Sequence, residues 1–185
     1  MAESEKHVMI DIETLDNVSS AIILAIGAVE FDINTGKIGK SFEQMVKIDS
    51  NHNNVKTRTL SGETLLWWLK QDQESIEKTF FNPERMSLQG ALSEFEDFLL
   101  KIDPLKKFQI WCKGAKFDFA ILSDAFRQFS MPVPWNYRNE NCCRTMFNRF
   151  PVKKGKFKGI AHSPIDDCKN QIKQLVQIQT ISWEK

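Results

Sequence analysis

Residues 21–31, AIILAIGAVEF, form an apolar run broken by one charge, Glu30. Rich in Ile, Val and Phe, it reads as a strand, and HVMIDI at 7–12 and KSFEQMVKI at 40–48 read the same way. The first fifty residues therefore predict three strands joined by short turns, with DINTGK closing the second hairpin. From Ser61 the period changes. SGETLLWWLKQDQ, SIEKTF and SLQGALSEFEDFLLKI carry apolar residues at helical spacing, with Leu88, Leu92, Phe95 and Leu99 marking one face. KFQIWC then reads as a strand, FDFAILSDAFRQF as a helix carrying Phe119, Leu122, Phe126 and Phe129, NCCRTMF as a short strand, and SPIDDCKNQIKQLVQIQTI as the last helix. Three early strands followed by alternating helix and strand predict an α/β domain with a mixed central sheet flanked by helices. In such sheets the site lies where strand ends meet helix starts.

A chain of 185 residues with 42% hydrophobic content sustains one core, so residues 1–185 are expected to be a single domain with its core at about 7–178. Lys and Arg number 25 against 24 Asp and Glu, and a net charge of +1 leaves any nucleic-acid footprint local. MAESEKHVMI lacks the cationic start and apolar run of a secretory signal, and nowhere does a membrane-spanning run of roughly 18 apolar residues occur. A cytoplasmic protein is expected. Cys112, Cys142, Cys143 and Cys168 contain no CxxC, and reduced structural thiols are expected.

The chemistry-bearing residues fall in three clusters. Along the first strand His7, Met9, Asp11 and Glu13 share one face and Val8, Ile10 and Ile12 the other, so Asp11 and Glu13 are neighbours. Two carboxylates held close raise each other's pKa unless a cation compensates, although a strand end reaching solvent would carry the same DIE at no cost. In WCKGAKFDFAIL, Gly114 permits a tight turn and Asp118 opens a helix, a place that also suits an ordinary helix-start acid. In AHSPIDDCKNQ, Ser163 reads as an N-cap, Pro164 as the first turn and Asp166 as the capping-box acid, which leaves Asp167 free. His162 just before the cap suits proton transfer near neutral pH, and suits an ordinary surface loop as well.

Taken in order, DIET, GAKFDFAIL and HSPIDD resemble the three motifs of the DEDDh group of 3′→5′ exonucleases, within the DnaQ-like, ribonuclease H-like superfamily. LLWWLKQ, the CRT at 143–145 and AHSPIDDC narrow the likeness to the phage exonuclease A group and related small bacterial exoribonucleases, over residues 7–178. Pro164, Ile165 and Cys168 depart from the commoner third motif, where small residues often stand, with the catalytic spacing intact. The resemblance implies a ribonuclease H-like fold, with Asp11, Glu13, Asp118 and Asp167 as ligands of two Mg²⁺ or Mn²⁺ ions and His162 as general base. It also implies a substrate of single-stranded DNA or RNA 3′ ends, with DNA the first reading, and contacts to the terminal nucleotide at Thr14 and Leu15.

Further substrate contacts are expected at Trp67, Phe117 and Lys154. Adjacent helical residues point about 100° apart, so at most one of Trp67 and Trp68 faces a substrate and the other seals core. RFPVKKGKFKG places Arg149, Lys153, Lys154, Lys156 and Lys158 ahead of the third motif, either as phosphate contacts or as a solvated loop. Arg144 serves equally as a structural partner for an acid. The competing readings are an exoribonuclease, a non-catalytic nucleic-acid-binding module and an endonuclease of the wider superfamily. No membrane partner is expected, and a homodimer is the assembly to test.

Overall fold

The computed structural model describes residues 5–52, 56–152 and 155–182. Its sheet has five strands: β1 (His7–Thr14), β2 (Ile23–Phe31), β3 (Ile38–Met45), β4 (Gln109–Cys112) and β5 (Glu140–Cys142), in the order β3-β2-β1-β4-β5. β1 is central, antiparallel to β2 and parallel to β4. The helices are α1 (Gly62–Trp68), α2 (Gln73–Phe80), α3 (Leu88–Ile102), α4 (Asp118–Gln128), α5 (Cys143–Arg149) and α6 (Pro164–Ser182).

The alternation along β1 divides the core. Val8, Ile10 and Ile12 pack with the apolar faces of α3 and α4, including Leu92, Phe95, Leu122 and Phe126. Met9 faces the other way, toward Trp111, Cys168, Ile172 and Leu175 beneath α6. His7 is buried on that same side, its Nδ1 accepting from the Trp111 indole at 3.1 Å. All four cysteines are free, and among the described residues no helix is long and apolar enough to cross a membrane.

The segment 141–147 differs from its expected strand. Only Glu140–Cys142 pairs with β4; from Cys143 the chain is helical and packs Cys143, Met146 and Phe147 against α6. These three stand at i, i+3 and i+4, a helical stripe inside what reads as a β-rich run. The capping box at α6 is also replaced. Asp166 Oδ2 accepts the Ile160 amide at 3.0 Å, while the Ser163 hydroxyl accepts from Lys78 and donates to Glu43.

Two features set α6 and α1 against the end of β1. Gly27 of β2, opposite Asp11, lets the start of α6 lie directly on the sheet: a Cβ there would stand 2.4 Å from Pro164 Cβ. Cys168 Sγ then reaches within 3.5 Å of the Met9 carbonyl. On the other side, buried Arg58 binds the Ala21 carbonyl and Asp124, and the Ser61 amide binds the Leu15 carbonyl at 2.8 Å. That tie delivers α1 and its Trp pair beside the end of β1.

Candidate active site

The carboxylates converge on the C-terminal half of β1, as expected of an α/β sheet. Asp11 and Glu13 rise from one face of the strand. Asp118 is the first residue of α4, and Asp167 lies in the first turn of α6, its amide donating to the Ser163 carbonyl at 2.8 Å. Glu13 and Asp118 are buried, Asp11 and Asp167 half-buried, and all four line one cleft of about 330 Å³. Glu13, His162 and Asp167 bring one ligand atom each within 4.8 Å of the others.

The electrostatics of the cluster are strained. Burial, then Asp118 and Asp167, push the Asp11 carboxyl well above its usual range, against a hydrogen bond from Gln171 and the charge of Lys113. Burial, then Asp11, Asp167 and Asp118, push Glu13 well above its usual range as well. Asp118 is pushed up to about 7 by burial, although the Cys112 thiol and Arg144 oppose this. Burial also raises Asp167, against the pull of His162 and Lys113. Asp167 Oδ2 is shielded from solvent without a hydrogen-bond partner among the described residues. A buried polar atom left unpaired is costly and marks a place where another group belongs.

His162 is held by its backbone and by two rings. Its φ of 59° is left-handed, uncommon for a non-glycine residue. Its ring meets Trp67 edge-on with centroids 4.7 Å apart and Trp68 at 5.6 Å. One face of α2 pins both neighbours: Ser75 Oγ meets the Ala161 carbonyl at 2.6 Å, and Lys78 Nζ donates to Ser163 Oγ at 2.5 Å while pairing with Glu43 at 2.9 Å.

The remaining predicted contacts separate. Trp68 is buried and donates its indole N–H to the Thr14 carbonyl at 2.9 Å, whereas Trp67 is 44% exposed and lines the cleft with Thr14 and Phe117. Leu15 is not brought in: its side chain is buried with Ile22, Leu24 and Trp68, and its amide and carbonyl bind Ile22 and Ser61. Lys154 lies outside the described residues. Several cleft residues were not singled out by motif, among them Gln171, Lys113 and Thr64. Gln171 donates to Asp11 Oδ1 at 2.7 Å, and its place four residues after Asp167 on a helix would have indicated it. Lys113 had no signal beyond its place at a strand end. Thr64 sits one turn before the Trp pair. Arg144 grips the Lys113 carbonyl through Nε and Nη2 at 3.0 and 2.8 Å, so its role is partly structural.

A family model described as the 3′-5′ exoribonuclease Rv2179c-like domain matches residues 6–179. The chain belongs to this family. An exodeoxyribonuclease of Enterobacteria phage T4 is 27% identical over 194 residues, covering 89% of this chain and 85% of the phage protein. The nuclease domain of 3′hExo, a DEDDh family member bound to rAMP, superposes with a TM-score of 0.60 at 15% identity, over 98% of this chain and 94% of its own. Exonuclease I of E. coli, solved with a dA16 oligonucleotide, gives 0.64 at 12% identity, over 95% of this chain and 41% of its own. These likenesses establish the ribonuclease H-like fold. The family match makes the chain a 3′→5′ exonuclease, a hydrolase.

Proposed function

We propose that this family member removes nucleotides from the 3′ end of single-stranded nucleic acid, DNA in the first instance, with four carboxylates as ligands of two divalent cations and His162 as general base. The observation that carries the reading is the convergence of Asp11, Glu13, Asp118 and Asp167 on one cleft, with Asp167 Oδ2 orphaned there. Carboxylates so placed resist ionising together unless a cation is present. Their hard oxygen donors suit Mg²⁺ or Mn²⁺ and would hold either. When bound, such ions supply Lewis-acid stabilisation of the phosphate and of the departing oxygen.

The protein's own groups do the rest. His162 takes the proton of the attacking water as the bond from phosphorus to the upstream 3′ oxygen breaks, leaving a 5′-nucleotide and a new 3′ hydroxyl. Trp67 and Trp68, themselves in edge contact, both pack on the imidazole, and the pins from α2 hold the backbone that aims it. Trp67 offers an exposed ring for the terminal base, and Phe117 and Thr14 line the same cleft. Lys113 and Arg144 place positive charge where phosphate would lie.

The test is to incubate the protein with end-labelled single-stranded DNA and RNA side by side, in EDTA, Mg²⁺, Mn²⁺ or Ca²⁺. The expected result is stepwise shortening from the 3′ end in Mg²⁺ or Mn²⁺, none in EDTA, poor turnover in Ca²⁺, and faster loss of DNA. Faster loss of RNA supports the second reading, carried by the exoribonuclease description of the family. Undiminished trimming in EDTA, or no trimming of either strand, overturns the proposal.

A further inference from the structure

Beside the carboxylate cleft lies a second cavity of about 220 Å³, which shares Lys113, Asp167 and Gln171 with it. One wall is the loop Gly155–Phe157. The other is the face of α6 bearing Asn170, Lys173 and Gln174. The loop is fastened to the helix: Asn170 donates to the Lys158 carbonyl at 2.8 Å and accepts the Lys158 amide at 3.2 Å, and Asp166 accepts the Ile160 amide at 3.0 Å. Gly159 makes the fastening possible, with φ of +104° and space for a Cβ filled by Asp166. Lys156 and Phe157 therefore stand opposite Lys173 in the protein alone.

The lining has a distinct chemistry. Lys113, Lys156 and Lys173 are its cations, and among the described lining residues Asp167, at the inner end, is the only acid. Phe157, 41% exposed, adds an aromatic ring to the same lining as the lysines. Cations for phosphates alternating with an aromatic face for bases is the combination that binds single strands without reading their sequence.

The geometry points to this groove as the path of the strand upstream of the scissile phosphate, with Lys156 and Lys173 against backbone phosphates and Phe157 against a base. The inference rests on the exonuclease reading above and deepens it. The 3′-terminal nucleotide occupies the cleft beside Trp67 and Phe117, and the bond to be cut lies at the junction, where Lys113 and Gln171 belong to both spaces.

Two substrates separate the groove from the cleft. The p-nitrophenyl ester of thymidine 5′-monophosphate fills only the cleft, because its nitrophenolate replaces the upstream nucleotide. A long single-stranded oligonucleotide fills both. For the double variant K156Q/K173Q, KM on the oligonucleotide should rise about tenfold with kcat retained. The slope of log KM against log salt should fall by about 1.4, at about 0.7 per single-strand contact. Turnover of the ester should stay within about twofold of wild type. Phe157→Ala should raise the oligonucleotide KM without changing the salt slope. In EDTA, the affinity of K156Q/K173Q for a fluorescent oligonucleotide should fall by a similar factor, a readout independent of turnover. Unchanged oligonucleotide KM and salt slope overturn the inference, as does an equal loss on ester and oligonucleotide, which would place the effect at the cleft. If the wild type cleaves neither substrate, the exonuclease reading itself falls and takes this inference with it.

Discussion

Gly27→Ala is the smallest change that should disable the site without touching it. The added Cβ would stand 2.4 Å from Pro164 Cβ, 2.9 Å from the Pro164 carbonyl carbon and 3.1 Å from the Ile165 amide nitrogen, whereas ordinary contacts begin at 3.4 Å. Two of the three obstacles are backbone, so the start of α6 must lift by about 1 Å. Asp167 lies on that first turn and Asp11 pairs with Gly27 across the sheet, so the lift opens the distance between two proposed metal ligands. A misplacement of about 1 Å typically costs about 10²-fold in rate. Overpacking of this kind costs about 1–3 kcal/mol, equivalent to about 2–12 °C in Tm for a chain of this size. Gly62→Ala is the matched control, because the same methyl group meets nothing within 4 Å there. Thermal melts and kcat on labelled single strands measure both effects, and apparent Mg²⁺ affinity should weaken in parallel. Wild-type kcat and Tm in Gly27→Ala would refute the claim that this glycine seats α6.

Asp167→Ala should lose at least about 10² in turnover together with metal affinity, while Asp166→Ala, which loses its ion pair with Lys169 and the Ile160 tie of the His162 loop, should keep metal affinity, lose no more than about tenfold in turnover and lose about 0.5–2 kcal/mol of stability; inactivity of Asp166→Ala with normal rates in Asp167→Ala would reverse the assignment. In EDTA, Tm should fall as pH rises from about 4, where the unfolded carboxyl ionises, to about 7, and should level off above that. Carboxyls whose folded pKa is raised favour the native state while protonated, and that contribution disappears as pH rises through the value of about 7 for Asp118. Saturating Mg²⁺ should remove or reverse the slope by binding the ionised native cluster, and a Tm flat with pH in EDTA would contradict the crowded-carboxylate account. Ser75→Ala and Lys78→Met should each lower kcat about tenfold with little change in KM, by loosening the backbone on either side of His162, and Lys78→Arg should restore most of it. Unchanged kcat in both would show that the His162 loop holds itself.

What could be read from the chain beforehand was whatever depends on short-range periodicity. Asp11 and Glu13 had to share a face because strands alternate, and β1 had to be covered on its other side because Val8, Ile10 and Ile12 alternate with them. The order of the three clusters, set by spacing alone, was enough to indicate the family resemblance. Features that depend on which partner arrives from elsewhere were not legible. Leu15 adjoins the acidic motif, but Trp68 of α1, with Ile22 and Leu24, encloses its side chain in a core, a contact that no local pattern encodes. The run 141–147 reads as a strand until α6 covers Cys143, Met146 and Phe147, when the helical stripe becomes the buried one. Gly27 looks like a weak point in a strand and is the seat of a helix more than a hundred residues away. The capping box at Ser163 shows the same limit most clearly. Local rules assign its hydroxyl and the Asp166 carboxylate to each other's backbone, yet tertiary partners take both: Lys78 and Glu43 the one, Ile160 the other. Those exchanges tie the His162 loop to α2 on one side and to α6 on the other. The polar residues beside the proposed base thus serve to fix its position at a left-handed backbone rather than to start a helix, which is why a rule drawn from helix starts misassigns them.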